Sequence, residues 1–313
     1  MDQSSFGRGE AHGKIILLGE HSVVYGKPSI AIPFFEATVN AIVKESQDDS
    51  RIDCDFYHGL LDNMPELLES LKETIRLCLE LLNKQDANLH ITIESHIPAE
   101  RGMGSSAAVA VATTRSLFDY FNTELTQKTL LDIVHVSETI AHGNPSGLDA
   151  LMTSSQTPYY FVKGQPFEKL AMNLDAYLVV GDTGVTGQTK EAVKSIATKI
   201  ANDDSLAIKA IERLGALADQ GRHYLENNQG VFLGDTMSEV HTLLNQLGVS
   251  NRQLNELVAV AMANKALGAK LTGGGRGGCM IALAKDKKTA YNISSALIAH
   301  GARQTWVYDM RGK

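Results

Sequence analysis

The amino-acid sequence predicts an α+β fold in two domains. Its 313 residues are many for a single hydrophobic core, so two domains are favoured. Strand-like and helix-like segments are mixed without the strict alternation of a doubly wound sheet, which favours the α+β class. Polar runs at 163–166 and 173–175 are the best candidate junction. We therefore expect an N-terminal domain over residues 1–172 and a C-terminal domain over residues 173–313.

Composition and charge argue against several classes of protein. Hydrophobic residues make up 43% of the chain and charged residues 21%, as in ordinary globular proteins. The formal net charge of −7 argues against a nucleic-acid-binding protein, whose domain would be basic. The polar N-terminus predicts no signal peptide, and no run approaches the roughly 18 apolar residues of a membrane span. Three separated cysteines without a Cys-x-x-Cys pattern indicate neither a disulfide framework nor a zinc site. We expect a cytoplasmic protein without nucleic-acid or membrane partners.

The first five elements follow from hydrophobic periodicity. Apolar residues bracketed by glycines over 13–19 predict a short buried strand, and the run 29–43 predicts a long or bent one. A weaker strand follows near 52–57. Leucine and isoleucine recur at helical spacing over 64–82, which predicts an amphipathic helix. Alternating apolar and polar residues over 89–95 predict a half-buried strand.

The remaining elements are bounded by caps and breakers. An Ala-, Val- and Leu-rich run over 107–120 predicts a buried helix. The next helix begins after Thr126 and ends near His142, because the Gly-Asn-Pro-Ser-Gly run that follows cannot continue a helix. The later predictions are a short helix at Asp149, strands at 158–162, 177–181, 269–271, 279–284 and 304–308, and helices at 186–200, 205–226, 232–247, 251–267 and 288–300.

A glycine-rich turn leads directly into the helix predicted at 107–120. Gly102 and Gly104 would let the main chain approach an anion closely, and Ser105 and Ser106 add hydroxyl groups. The first N–H groups of a helix lack partners within the helix, and the helix dipole adds positive charge there. The stretch therefore predicts a phosphate-binding turn. The alternative is an ordinary glycine turn followed by a serine N-cap.

Other nucleotide-binding signatures are missing. No Gly-x-x-x-x-Gly-Lys-Ser/Thr run occurs, which argues against a P-loop protein. Gly273, Gly275 and Gly278 match the spacing of a dinucleotide-binding fingerprint. That fingerprint requires a following helix, whereas a strand-like apolar run follows here, so we do not expect a Rossmann domain.

Four charged or titratable residues are candidates for chemistry. Glu138 lies within a predicted helix and is either a metal ligand or an ordinary solvated or ion-paired carboxylate. Asp149 follows a stiff Pro-Ser-Gly lead-in and is either a fixed reactive carboxylate or an N-cap. Lys14 and His21 flank the first predicted strand, and either could be a surface residue.

Three separated motifs together indicate a family. They are Gly-Lys-Ile-Ile-Leu-Leu-Gly-Glu-His-Ser-Val-Val-Tyr-Gly at 13–26, the Pro-to-Ala run at 98–108, and Lys-Leu-Thr-Gly-Gly-Gly-Arg-Gly-Gly-Cys at 270–279. The chain resembles the small-molecule kinases that include galactokinase, homoserine kinase, mevalonate kinase and phosphomevalonate kinase. The first motif, with His-Gly-Asn-Pro-Ser-Gly-Leu-Asp at 142–149, is most similar to members that phosphorylate mevalonate.

The resemblance implies a function and its alternatives. It implies a two-domain kinase with ATP at the domain cleft, which uses Mg²⁺ to phosphorylate the primary 5-hydroxyl of (R)-mevalonate in isoprenoid precursor synthesis. A phosphomevalonate kinase of the same fold is the nearest alternative. A catalytically inactive relative that acts as a sensor is the alternative from another class. A homodimer is compatible with the resemblance.

The resemblance also implies roles for individual residues. Asp149 corresponds to the base for the substrate hydroxyl, and Lys14 to the lysine near that hydroxyl and the γ-phosphate. Ser106 and Glu138 correspond to the Mg²⁺ ligands. The implied ATP-binding residues are Pro98, Arg101, Gly102, Met103, Gly104, Ser105, Ser106 and Ala107. The implied substrate-binding residues are Lys14, Glu20, His21, Asp149, Thr183 and Gly274. Arg276 departs from the family pattern by interrupting the glycine-rich loop at 272–278.

Overall fold

The computed structural model describes residues 6–143 and 145–311, and its mixed strands and helices confirm the α+β class. Asn144, part of the 142–149 motif, lies outside the described residues. The strands of the described part are β1 (Phe6–Leu18), β2 (Pro28–Glu45), β3 (Arg51–Cys54), β4 (Tyr57–Leu60), β5 (Leu89–Ser95), β6 (Tyr159–Val162), β7 (Glu168–Lys169), β8 (Asn173–Asp182), β9 (Gly268–Thr272), β10 (Cys279–Ala284) and β11 (Gln304–Arg311). Its α-helices are α1 (Glu69–Leu81), α2 (Ser105–Tyr120), α3 (Gln127–His142), α4 (Leu148–Ser154), α5 (Thr189–Ala201), α6 (Ser205–Glu226), α7 (Gly230–Leu247), α8 (Arg252–Ala263) and α9 (Lys287–Ala299).

The chain divides into two compact units that are interleaved along the sequence. Of the described residues, unit 1 contains 6–14, 37–99, 104–143 and 145–155, and unit 2 contains 15–36, 100–103 and 156–311. The predicted boundary between residues 172 and 173 is a linear division and stays a prediction. The polar run at 173–175, part of the predicted junction, forms the start of β8.

Unit 1 combines strands with a cluster of helices. The second half of β2 pairs antiparallel with β5, from Val39 opposite Ser95 to Glu45 opposite Leu89. On its other side β5 pairs parallel with β3, which pairs antiparallel with β4. Helices α1, α2 and α3 contact one another, and α4 contacts α2 and α3. The small buried alanines of α2 let its neighbours approach closely.

Unit 2 is built on an antiparallel sheet of order β11-β8-β10-β9. Its centre is apolar, with Leu178, Val179 and Val180 of β8 fully buried. Helices α8 and α9 pack on this sheet, while α6 packs against α7. Thr272 pairs with Cys279, so the glycine-rich loop is the connection between β9 and β10. The same unit contains the first half of β2, whose residues from Pro28 to Ala31 pair antiparallel with β6.

The bounds of β5, α6 and β10 are those that the sequence predicts, and the start of β1 is the main difference. The first strand begins at Phe6 rather than Gly13. A β-carbon at Gly7 would lie 2.2 Å from the Ser116 carbonyl oxygen, and one at Gly9 would lie 2.0 Å from that of Ala112. These glycines therefore allow a polar segment to pack on α2, which hydrophobic periodicity does not reveal.

Helices α1 and α8 are clearly shorter than the sequence predicts. Helix α1 starts at Glu69 because Pro65 and a 3₁₀ turn at Glu66–Leu68 precede it. Helix α8 ends at Ala263, since β9 already begins at Gly268. Nowhere in the described part of the chain is a helix both long and apolar enough to cross a bilayer.

Candidate active site

The phosphate-binding turn ends in a helix whose N-cap is glycine. Gly104 occupies that position with a φ of 76°, in the left-handed region, and Ser105 and Ser106 are the first two residues of α2. The alternative interpretation, in which a serine caps the helix, is therefore wrong. A β-carbon at Gly104 would lie 3.0 Å from Lys14 Cγ and 3.1 Å from Thr153 Cγ2. Glycine thus leaves the helix N-terminus without a capping side chain and admits Lys14 beside it.

Lys14 and Asp149 form an ion pair in unit 1. The Lys14 Nζ atom lies 3.2 Å from Asp149 Oδ1, and the side chains are 5% and 37% exposed. Asp149 is the second residue of α4, whose N-cap is Gly147, so the N-cap interpretation of Asp149 is wrong. Lys14 is buried and is not a surface lysine. The pair places a partly accessible carboxylate next to a fixed ammonium group.

Glu138 is buried on α3 close to this pair. Burial raises the pKa of its carboxyl group, and the negative charge of Asp149 raises it further. A hydrogen bond from Ser106 and the positive charges of His142 and Lys14 act in the opposite direction. Its Oε1 atom is buried, and no hydrogen-bond partner for it is found among residues 6–143 and 145–311. Glu138 is therefore not a solvated surface carboxylate.

An open cavity of about 180 Å³ lies over these acidic groups within unit 1. Helix α3 contributes His135, Glu138 and His142 to its wall, and the segment around Asp149 forms the other side. The Glu138 Oε2 atom lies 3.8 Å from His142 Nε2. Both carboxylates of the site thus line one space that a small polar ligand could enter.

The residues of this site fit a magnesium ion. Mg²⁺ usually takes one or two protein oxygens and completes its shell with phosphate and water. Glu138 supplies a carboxylate oxygen without a partner in the described residues, and Ser106 supplies a hydroxyl near enough to lower the pKa of the same carboxyl group. The described residues include no group of three His, Cys, Asp or Glu side chains that could hold a metal. The donor set therefore suits an ion shared with a phosphate better than a closed structural metal site.

Glu20 has a partner that the sequence analysis missed. Its carboxylate forms an ion pair with Lys270 Nζ, and neither side chain is exposed. Lys270 also donates to the Leu271 carbonyl oxygen at 2.8 Å. Burial lowers the pKa of the Lys270 ammonium, and the charge of Glu20 acts against that shift. The sequence signal for this pair is a lysine within the strand predicted at 269–271.

His21 is a neutral hydrogen-bond acceptor toward any ligand. Its Nε2 atom lies 3.1 Å from the Gly274 carbonyl oxygen, which can only accept, so Nε2 carries the proton. Burial lowers the pKa of His21 to about 4. Its Nδ1 atom is buried and has no hydrogen-bond partner within the described part of the chain. This nitrogen suits a hydroxyl donor and does not suit a carboxylate.

The other predicted site residues in unit 2 are held by main-chain and side-chain contacts. Thr183 Oγ1 donates to the Gly278 carbonyl oxygen at 2.6 Å. Arg101 Nε donates to Asp182 Oδ1 at 3.0 Å. A β-carbon on Gly102 would lie 3.3 Å from Gly273 Cα. The structure thus brings Arg101, Gly102 and Thr183 close to the strand end and glycine-rich loop that contain Asp182, Gly273 and Gly278.

The remaining predicted nucleotide-binding residues differ in their exposure. Met103 and Ala107 are buried, and the Met103 sulfur lies 3.7 Å from Cys279 Sγ. Pro98 is half-buried, and Ser105 Oγ lies 3.5 Å from the Ile97 carbonyl oxygen. Only main-chain groups of the buried pair could meet a nucleotide.

Comparison with known proteins identifies the family. Residues 69–156 match the GHMP kinases N terminal domain, and residues 207–303 match the GHMP kinases C terminal domain. A mevalonate kinase of Pyrococcus furiosus is 34% identical over 304 residues, which cover 89% of each chain. The chain is a member of the GHMP kinase family.

Solved structures of this family share the fold. A mevalonate kinase from methicillin-resistant Staphylococcus aureus MRSA252 is 34% identical with a TM-score of 0.76, over 99% of this chain and 100% of that one. An L. major mevalonate kinase in complex with R-mevalonate is 25% identical with a TM-score of 0.84, over 100% and 99% of the two chains. The likeness to these structures therefore extends over nearly the whole chain, including the residues of the site described above.

Proposed function

We propose that this GHMP kinase transfers the γ-phosphoryl group of ATP to the primary 5-hydroxyl of (R)-mevalonate, giving 5-phosphomevalonate and ADP in isoprenoid precursor synthesis. The observation that carries the proposal is the Lys14–Asp149 ion pair beside the start of α2, 3.2 Å between Nζ and Oδ1. The names of the relatives support the substrate. The intact pair also argues against a catalytically inactive sensor.

Charge stabilisation comes from Lys14 and the α2 N-terminus. Phosphoryl transfer depends mainly on in-line positioning and on neutralising charge on the transferred group. Preorganised donors in a site with little water serve this purpose well. In our proposal the main chain at the start of α2 and the hydroxyl of Ser105 bind the phosphates, and Lys14 contributes positive charge beside them.

Asp149 receives the proton of the substrate hydroxyl. Its carboxylate is partly exposed to the cavity in unit 1, and its contact with Lys14 fixes its orientation. A positioned base of this kind contributes about 10²- to 10⁴-fold to a rate.

Ser106 and Glu138 would hold Mg²⁺. When bound, the ion would neutralise charge on the phosphates. The carboxylate oxygen of Glu138 and the hydroxyl of Ser106 are the protein groups available for it.

The first motif favours mevalonate over phosphomevalonate. His21 offers an acceptor nitrogen, which suits the tertiary hydroxyl of mevalonate. A second phosphate would require basic groups. The nearby Lys270 ammonium group is fully buried and already paired with Glu20, so it is not available to a second phosphate.

An ADP-release assay with a panel of alcohols tests the proposal. We expect (R)-mevalonate to give a kcat/KM at least about tenfold above those of phosphomevalonate, galactose and homoserine, which is a difference of about 1.4 kcal/mol in transition-state binding. A preference for phosphomevalonate would show that the substrate assignment is wrong, while membership of the GHMP kinase family would still hold. Location in the cytoplasm and assembly as a homodimer stay predictions.

A further inference from the structure

The guanidinium group of Arg101 is engaged within unit 2. Besides the bond from Nε to Asp182, Nη1 donates to Thr186 Oγ1 at 3.1 Å and Nη2 donates to the Gly184 carbonyl oxygen at 2.9 Å. The side chain is 11% exposed and that of Asp182 is 3% exposed. At least three of the five N–H donors of arginine are therefore used. Few remain for a nucleotide phosphate.

Asp182 uses the same oxygen to shape the turn that follows it. Its Oδ1 atom accepts from Arg101 Nε and also from the Gly184 main-chain N–H, at 2.9 Å. Without Arg101 the buried Asp182 carboxylate would lose its cation. The Oδ1 atom that accepts from the Gly184 N–H would then no longer be held in place. Removing one partner of a buried ion pair is strongly destabilising, because it leaves the other charge buried without compensation.

The segment 182–187 is attached at several further points. The Gly187 N–H donates to the Glu100 carbonyl oxygen at 3.0 Å. The Gly278 N–H donates to the Val185 carbonyl oxygen at 2.7 Å, while Thr183 donates from its main chain and its side chain to the Gly278 carbonyl oxygen. The turn at residues 100–103 and the glycine-rich loop thus both hold this segment, and the Arg101 side chain bonds to Asp182, Gly184 and Thr186 within it.

We propose that Arg101 is a positioning residue for the alcohol substrate and that its guanidinium is not a ligand of ATP. It acts by holding 182–187, and with it Thr183, in one conformation against Gly278. This inference rests on the proposed function, because the family resemblance is what assigns Thr183 to the mevalonate-binding residues.

Steady-state kinetics of four variants test the inference. We expect Arg101→Met and Asp182→Asn each to raise KM for mevalonate about tenfold, the scale of one lost charged hydrogen bond. KM for ATP should change less than about twofold, because these variants weaken binding of the alcohol and leave the nucleotide site intact. The double variant should be no worse than the worse single one, because both changes remove one contact. Arg101→Lys should lie between wild type and Arg101→Met.

A matched control separates this effect from the general loss of an ion-paired arginine. Arg213 donates to Glu239 through two nitrogens on the surface of unit 2, at 2.6 and 2.9 Å. Arg213→Gln should leave both KM values unchanged. If Arg101→Met raised KM for ATP while Asp182→Asn did not, with additive effects in the double variant, Arg101 would be a nucleotide ligand and the inference would be overturned.

Hydrogen–deuterium exchange gives a readout that does not depend on the substrate assignment. Without ligands, peptides over 182–187 should exchange faster in Arg101→Met than in wild type and Arg213→Gln, while peptides of α6 and α7 should not change. Unchanged exchange over 182–187 would overturn the positioning role even if mevalonate were the substrate. Faster exchange in a protein that does not use mevalonate would instead reject only the proposed function. If Arg101→Met does not fold, Arg101→Lys is measured in the same way.

Discussion

Glycine is the N-cap residue of both α2 and α4, so the polar side chains that follow are not needed for capping. Gly104 and Gly147 both lie in the left-handed region, with φ values of 76° and 79°. Because glycine occupies the N-cap position of each helix, Ser106 and Asp149 lie inside the helices and are not N-caps. They are available to contact Glu138 and Lys14 instead. The chemistry of unit 1 therefore depends on the exact residue at which each helix begins.

Ser106 and Glu138 should act together in magnesium dependence. We expect Ser106→Ala and Glu138→Gln each to raise the Mg²⁺ concentration for half-maximal activity. Because both side chains would contact one ion, the double variant should lose less than the sum of the single losses, by at least about 0.5 kcal/mol. Mg²⁺ titrations of initial rate measure this. Additive effects with unchanged Mg²⁺ dependence would show that neither residue contacts the ion.

His21 should make folding stability fall in mild acid. Burial lowers the pKa of His21 to about 4, against 6.5 for the ordinary side chain. In this range the unfolded chain binds a proton that the folded chain does not, so the stabilisation is complete above pH 6.5 and is lost as pH falls toward 4. Between pH 6.5 and 5 we expect His21 to account for about 2 kcal/mol.

Urea unfolding at several pH values measures this contribution. His21→Gln keeps a donor for Gly274 and cannot titrate, so its stability should fall less than that of wild type over the same range. His12 and His241 also have pKa values lowered by burial, and they titrate equally in both proteins. Parallel curves for the two proteins would contradict the assignment of a neutral His21.

At the scale of elements, β9 fixes the first motif. Lys270 and Thr272 are two residues apart on this strand and therefore lie on one face of it. Thr272 Oγ1 donates to the Ile16 carbonyl oxygen at 2.8 Å, and Lys270 pairs with Glu20. The loop after the strand adds the contact between Gly274 and His21. Strand β9 thus determines where the His21 acceptor lies.

Breaking the Lys270–Glu20 pair from one side should be strongly destabilising. Lys270→Met would leave the Glu20 carboxylate buried without this cation, at a cost of about 3–5 kcal/mol. Adding Glu20→Gln should recover part of that loss, because it removes the buried charge. Urea unfolding of the single and double variants measures both effects. A single variant near wild-type stability, or a double variant with additive losses, would contradict the role of the pair.

At the scale of the whole molecule, local patterns predicted the elements and ordered motifs predicted the family. The alternation of apolar and polar residues at 89–95 is a local signal, and it gave β5 at its observed bounds. The predicted helix at 205–226 likewise has the bounds of α6. The α+β class followed from the order of such elements. The family resemblance predicted that Lys14, Glu138 and Asp149 belong to one site, and the structure places all three in unit 1.

Partners distant in sequence could not be predicted in this way. Lys270 and Glu20 are separated by 250 positions, and Arg101 and Asp182 by 81. No local periodicity relates such pairs, because only the folded chain brings them together. The two compact units, each made of several chain segments, are equally invisible to a search for a polar linker. Glu20 and Arg101 therefore have contacts that the family motifs alone do not suggest.

Single-turnover phosphoryl transfer in Asp149→Asn tests the central claim most directly. The claim is that the carboxylate paired with Lys14 takes the proton of the mevalonate hydroxyl. With enzyme and ATP in excess over (R)-mevalonate, rapid-quench measurement should show transfer slowed at least about a hundredfold, the scale of a lost positioned base. ATP binding should be retained, because Asn fills the same space. Transfer at a rate near that of the wild-type enzyme would contradict the account.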